Sequence, residues 1–282
     1  MALPPSLGYG RGILVGFDEC VAEVLSWQNK QFTVSAIVKN VVDECTWRLV
    51  VVYGSPYEEG KDEFINELHD LLTNWSGPTV IGGDFNLVCN QSEKSNGVIN
   101  HHWSNLFNDW INTWGLVELK NSTRSFSWSN NQNQPIMAAI DKIFCSTEFS
   151  QNYLLSYVTT ASRAGSDHVP LVLNFGLNQE KKHTNFRFEK WWLEREDFHD
   201  LVRSLWKIPC SFNNPLDTWQ FKIRKLRKKA KGWALNVNAE IRKTKSKLME
   251  EYDKLDLLQE STQLDDSDRQ RMKNILEELS SI

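Results

Sequence analysis

A chain of 282 residues carries 32 Lys and Arg against 36 Asp and Glu, for a net charge of −4. That length admits one large domain or two smaller ones, and no apolar run is long enough to cross a bilayer. Five cysteines without a CxxC or a paired spacing argue against a disulfide framework and fit reduced thiols. The charge is unevenly spread. Residues 1–178 hold 10 Lys and Arg against 18 Asp and Glu, a net of −8, whereas residues 179–282 hold 22 against 18, a net of +4. The asymmetry predicts two units with different tasks, residues 1–178 and residues 179–282. Met1 to Pro5 lack a basic segment followed by an apolar core, so the expected location is intracellular, nuclear or cytoplasmic, and not secreted.

Taken in order, Gly8 to Gly12 form a flexible lead-in, and Ile13 to Phe17 read as a strand. Val21–Trp27 and Phe32–Lys39 flank a turn at Gln28–Gln31, a hairpin pattern. Trp47 to Tyr53 is a continuous apolar run, as in a central strand covered on both faces. Phe64, Leu68, Leu71, Leu72 and Trp75 recur at helical spacing and lead into a strand at Thr79–Ile81. Leu106 to Trp114 predict a second helix, closed by Gly115. Short strands follow near Leu116–Leu119 and Phe126–Ser129, another at Ile140–Cys145, a helical turn from Thr147, and a last strand at Val169–Phe175. Many strands with few helices fit two packed sheets with helices outside.

Beyond Phe175 the pattern changes. Phe198, Leu201, Val202, Leu205 and Trp206 mark an amphipathic helix. Trp219, Ile223, Leu226, Ala230, Trp233, Val237 and Ile241 then step by four and three, a heptad pattern that continues through Leu255. Helix–helix self-association through residues 216–260 is one expected use of that stripe. Lys225, Arg227, Lys228 and Lys229 crowd the face beside it and are candidate contacts to a polyanion. Asp265 to Asp268 cap a final helix.

Chemistry concentrates in a few stretches. Gly82-Gly83-Asp84-Phe85-Asn86 ends a buried strand, which sets a carboxylate and an amide at its C-terminal edge. If that segment stays extended, Asp84 and Asn86 point to one side. Tyr53 ends the central strand at the same edge, Asp141 opens its own strand, and Asp167-His168 precedes the last one. A His beside a carboxylate is fixed in one tautomer and carries positive charge more readily. Hydrolysis of a phosphodiester needs an activated water and a cation to offset charge on phosphoryl oxygen. Oxygen ligands of this kind suit Mg²⁺. His101-His102, without further ligands nearby, read as the solvated start of a helix.

Val52-Tyr53-Gly54-Ser55-Pro56, the Gly-Gly-Asp84-Phe-Asn86 stretch, Ile140-Asp141 and Ser166-Asp167-His168-Val169-Pro170 together resemble the endonuclease/exonuclease/phosphatase superfamily. Ser125-Phe126-Ser127-Trp128-Ser129 is similar to a motif of its LINE-type (non-LTR) retrotransposon branch in plants. Phe186-Arg187-Phe188-Glu189, Trp192 and the basic helix resemble the segment joining such an endonuclease to a reverse transcriptase. The resemblance implies a two-sheet α/β sandwich, incomplete at its N-terminus, followed by a helical, coiled-coil extension. It implies a DNA-nicking phosphodiesterase using Mg²⁺, or Mn²⁺ in its place, with DNA or RNA and a reverse transcriptase as partners. His168 would bind the scissile phosphate and Asp141 would orient it. Asp84 would handle a proton, Asn86 and Tyr53 would position the phosphate, Asp167 would support the metal, and Trp128 would contact nucleic acid. The family's principal metal-ligating Glu lies upstream of the glycine-rich segment, and Ala139 replaces a usual basic residue. The expectation is therefore an activity weakened or lost. The alternatives are an inactive retroelement remnant that binds nucleic acid or a partner, and a phosphatase of the same superfamily.

Overall fold

The structure, a computed structural model, describes residues 12–73, 75–121, 123–176, 188–210, 214–237 and 239–282. Gly8 to Arg11 of the lead-in and Phe186-Arg187 of the joining motif lie outside these residues. The chain divides into two compact units, Met1–Leu177 with Tyr252–Lys273, and Asn178–Glu251 with Asn274–Ile282.

In chain order the first unit contains β1 (Ala22–Asn29), β2 (Thr33–Asn40), β3 (Thr46–Tyr53), α1 (Lys61–Thr73), β4 (Thr79–Asp84), α2 (His101–Thr113), β5 (Val117–Glu118), β6 (Trp128–Ser129), β7 (Met137–Ala138), β8 (Asp141–Cys145), α3 (Thr147–Asn152), β9 (Tyr157–Thr160) and β10 (Leu171–Asn174). One mixed sheet runs β1-β2-β3-β4-β8-β5, and β9–β10 and β6–β7 form two-stranded sheets. Alternation along the strands sorts side chains onto two faces. Val50, Val52 and Phe144 face α1 and α2, where Phe64, Leu68, Phe107 and Trp110 fill the core. Trp47, Ile143 and Cys145 face the other way, against Phe149, Tyr153 and Val158 of α3 and β9. The mixed α/β architecture with a layer on each face agrees with the sequence reading.

Local signals hold as well. Asn100 caps α2 by accepting from His102 N, and Gly115 takes a φ of +57° just past its end. Arg48 is buried on the helical face and donates to the Leu71 carbonyl near the end of α1. One expectation fails: Ile13–Phe17 makes a single bridge at Val15 rather than a strand. Val15 is buried, but Leu14 and Phe17 are both exposed, so the run is covered at one position only.

The second unit is helical. A 3₁₀ turn at Lys190–Glu194 leads into α4 (Glu196–Trp206), followed by α5 (Pro215–Val237) and α6 (Ala239–Gln259). Trp192, Phe198, Leu201 and Val202 pack on Leu226, Ala230, Trp233 and Ala234. The α5 stripe is thus engaged by α4 within the chain. The last helix is α7 (Asp266–Ser281), with Asp268 N donating to Asp265. Residues 252–273, which the charge count grouped with the second unit, cluster with the first. The reason is Asp256, which is fully buried against Arg124 and Arg163.

Candidate active site

Strand register brings the motif residues together. Tyr53 ends β3 opposite Asp84 of β4, and Asp84 stands opposite Asp141 of β8. Glycines allow this close meeting. A Cβ on Gly83, which has a φ of +140°, would lie 2.2 Å from the Val52 carbonyl oxygen. A Cβ on Gly54 would lie 2.2 Å from that of Phe85.

Asp84 accepts from Asn86 twice, from its backbone N to Oδ1 and from Nδ2 to Oδ2, each at 2.9 Å. The two side chains meet through a turn rather than an extended segment, because Asn86 adopts a left-handed φ of 50°. An Asx-type turn permits that conformation for Asn where a branched residue would strain. The Asn86 amide also donates to the Gly54 carbonyl, and Lys61 Nζ donates to the Asn86 carbonyl at 2.8 Å.

Across the strand end, His168 Nδ1 lies 2.9 Å from Asp141 Oδ2. Asp141 N donates to Ser127 Oγ, and His168 N donates to Ser166 Oγ. Trp128 pairs with His168 in a backbone bridge, and Trp128 Nε1 donates to Asp167 Oδ2 at 3.1 Å. Tyr53, Lys61, Asp84, Asn86, Trp128, Asp167 and His168 wall one cleft of about 580 Å³, while Asp141 lines a neighbouring hollow that His168 shares.

Two titrations are displaced. Burial, together with the charge of Asp141, pushes the Asp84 carboxyl up to about 6. The hydrogen bond that His168 donates to Asp141 raises the imidazole above its ordinary value, against the opposing effect of burial. The arrangement can therefore hold a proton on imidazole while a neighbouring carboxylate exchanges one near neutrality.

The resemblance implies Mg²⁺, and oxygen donors suit it. Among the described residues, no group of three or more His, Cys, Asp and Glu comes together that could hold a metal ion. Asp84 has both oxygens hydrogen-bonded to Asn86, and Asp167 turns one toward Trp128. The described residues do not by themselves make up a metal centre.

Some participants escaped the sequence reading. Lys61 walls the cleft and, through burial, sits below the ordinary lysine value. Its only signal was a lysine opening an amphipathic helix. Behind Asp141, Lys142 is buried and paired with Glu93 at 2.9 Å and Glu118 at 3.5 Å. Strand alternation sends it to the face opposite the site, and nothing local to Lys142 announces its distant partners.

Residues 47–172 match the model of a family described as endonuclease-reverse transcriptase. By that match the stretch is similar to the endonuclease part of endonuclease-reverse transcriptases. Among solved structures, the endonuclease domain of TRAS1, a telomere-specific non-LTR retrotransposon, aligns at 17% identity with a TM-score of 0.39, over 51% of this chain and 64% of that one. The chain thus spans less than two thirds of that domain. A mannosyl-6-phosphatase of Bacteroides thetaiotaomicron aligns at 13% identity with a TM-score of 0.37, over 56% and 68% of the two chains. Beta toxin of Staphylococcus aureus aligns at 15% identity with a TM-score of 0.36, over 51% and 57%. No curated protein sequence matches the chain. No helix among the described residues is long and apolar enough to cross a membrane.

Proposed function

We infer that the cleft binds and hydrolyses a phosphodiester of nucleic acid, nicking DNA as part of a LINE-type element that also encodes a reverse transcriptase. One observation carries this reading. An Asp84–Asn86 pair and an Asp141–His168 pair are each joined at 2.9 Å at adjacent strand ends, and Asp84, Asn86 and His168 line one cleft. Protonated His168 donates from Nε2 to a non-bridging phosphoryl oxygen and offsets its growing charge, while Asp141 holds Nδ1. Deprotonated Asp84 accepts a proton from water as the water oxygen bonds to phosphorus. The bond to the departing sugar oxygen breaks, and that oxygen takes a proton from solvent. The Asn86 amide keeps Asp84 oriented, and Tyr53 and Lys61 line the phosphate's approach. Trp128 offers a ring to a base or sugar beside the cut.

The family implies Mg²⁺ or Mn²⁺, with Asp167 on the metal side. On the second unit, Lys225, Arg227, Lys228 and Lys229 would add affinity for nucleic acid without sequence preference.

The test is nicking of supercoiled plasmid in Mg²⁺, in Mn²⁺ and in excess EDTA, by the full chain and by His168→Ala. Nicking in the metal buffers that His168→Ala abolishes supports the reading. Equal nicking by both proteins, or none by either, would overturn it.

A further inference from the structure

Away from the cleft, two arginines converge on one carboxylate. Arg163 Nε donates to both oxygens of Asp256 at 2.9 Å, its Nη2 also reaches Oδ1, and Arg124 Nη1 donates to Oδ2. Asp253 and Glu260 approach Arg124 at 3.7 and 3.8 Å, and Ser125 N donates to Glu260. Asp256 is fully buried, and Arg163 is 4% exposed.

Stability alone gives a poor account of this cluster. Desolvating ion pairs is costly, and apolar residues of like size commonly hold a helix as well or better. Two guanidinium forks on one anion do match a phosphodiester, whose oxygens present the same bidentate geometry as a carboxylate.

Position points the same way. Arg124 lies four residues before Trp128, and Arg163 lies five before His168. The two segments then run together, with Ser129 N donating to the Asp167 carbonyl and Val169 N to that of Ser127. Five extended residues span at most ~18 Å, roughly five phosphates of one duplex strand at ~3.4 Å each. Cations are scarce here, since residues 1–178 hold only 10 Lys and Arg against 18 acids. Asp256 lies 93 and 132 positions along the chain from Arg163 and Arg124, outside the matched domain, so its helix can leave without breaking the sheet.

We propose that Arg124 and Arg163 form a backbone-phosphate site for a nucleic-acid strand leaving the cleft, and that Asp256 occupies it as the chain's own substitute for phosphate. The inference rests on the nuclease reading for the identity of its ligand. It predicts that nucleic acid displaces the segment 252–260, and that this segment restrains binding until then.

The experiment measures binding rather than cleavage, so it stands or falls apart from the catalytic reading. Fluorescence anisotropy of a short mixed-sequence DNA duplex is followed in a salt titration. The full chain is compared with Asp256→Asn/Glu260→Gln, and with that pair plus Arg124→Gln/Arg163→Gln. The first variant should bind on the order of tenfold tighter with a steeper salt slope, and the second should lose both gains. Equal affinity and slope for a cooperatively melting Asp256→Asn/Glu260→Gln protein would overturn the proposal. If that variant does not fold, hydrogen exchange of the unaltered chain decides. Added duplex should speed exchange across residues 252–260, and unchanged or slower exchange there would refute displacement. Tighter binding without nicking would sustain this site while removing the proposed catalysis.

Discussion

Two carboxylates in the first unit, half-buried Asp84 and fully buried Asp256, live in opposite surroundings. Asp84 faces a second carboxylate, Asp141, across a strand end, and its hydrogen bonds come from a neutral amide residue. Asp256 sits between two guanidinium groups. One environment strips solvent from the acid and sets a second carboxylate beside it, which together hold it near neutrality, where it can exchange protons. The other neutralises the charge and turns the carboxylate into a fastening. The fold keeps chemistry and attachment apart by the sign of what surrounds each acid.

Removing the fastened acid should have the largest effect. Asp256→Ala leaves two buried guanidinium groups without their anion, and is expected to cost about 3–5 kcal/mol of stability in urea unfolding. The matching change at the chemical end is His168→Ala. It should leave the urea midpoint nearly unchanged but reduce nicking on the order of 10²-fold or more. The rate of the unaltered protein should rise with pH through about 6 as Asp84 loses its proton. It should fall above the raised value of His168, giving a bell that plasmid nicking across a pH series would trace.

The contrast sharpens at Asp84 itself. Its carboxyl stands near 6 in the fold against an ordinary 3.8, so between those values the folded chain keeps a proton that the unfolded chain has lost. Stability from this group is therefore present below about pH 4 and lost as pH rises to about 6, a decline of about 3 kcal/mol. Asp84→Asn should flatten that decline and melt higher than the unaltered protein at pH 7, whereas Asp256→Asn should melt lower. Melting curves at pH 4 and pH 7 would show whether the two substitutions move in opposite directions.

The smallest effect concerns α5. Replacing Lys225, Arg227, Lys228 and Lys229 with Gln should change stability by no more than about 0.5 kcal/mol. The same change should reduce the salt slope of DNA binding by up to about four counterions. An unchanged slope would leave this helix only its packing against α4.

The sequence disclosed the site better than the attachment. Asp84, Asn86, Asp141 and His168 were legible because each sits at a strand terminus marked by glycine, proline or an apolar run, and strand ends on one edge must converge. β3, β4, α1 and α2 followed from periodicity for the same local reason. The Tyr157–Thr160 strand was missed, although its β-branched run carried a signal. Arg124, Arg163 and Asp256 gave none, because their meaning lies in a pairing of distant segments that no local pattern encodes. Asn86 misled in its geometry, since an extended reading and an Asx turn place its side chain on the same side of Asp84. Only the backbone angle separates them.

The close approach of β3 and β4 leaves a mark of another kind. Gly54 and Gly83 have no room for a methyl group, and the atoms in the way are backbone oxygens that cannot rotate aside. A library of all single substitutions, selected only for soluble expression, would therefore show two positions tolerating nothing. They flank Tyr53 and Asp84, which such a selection would leave comparatively free to vary. The outline of the candidate site's edge would appear in a screen that never measured activity, drawn by the residues that make space rather than by those that line the cleft.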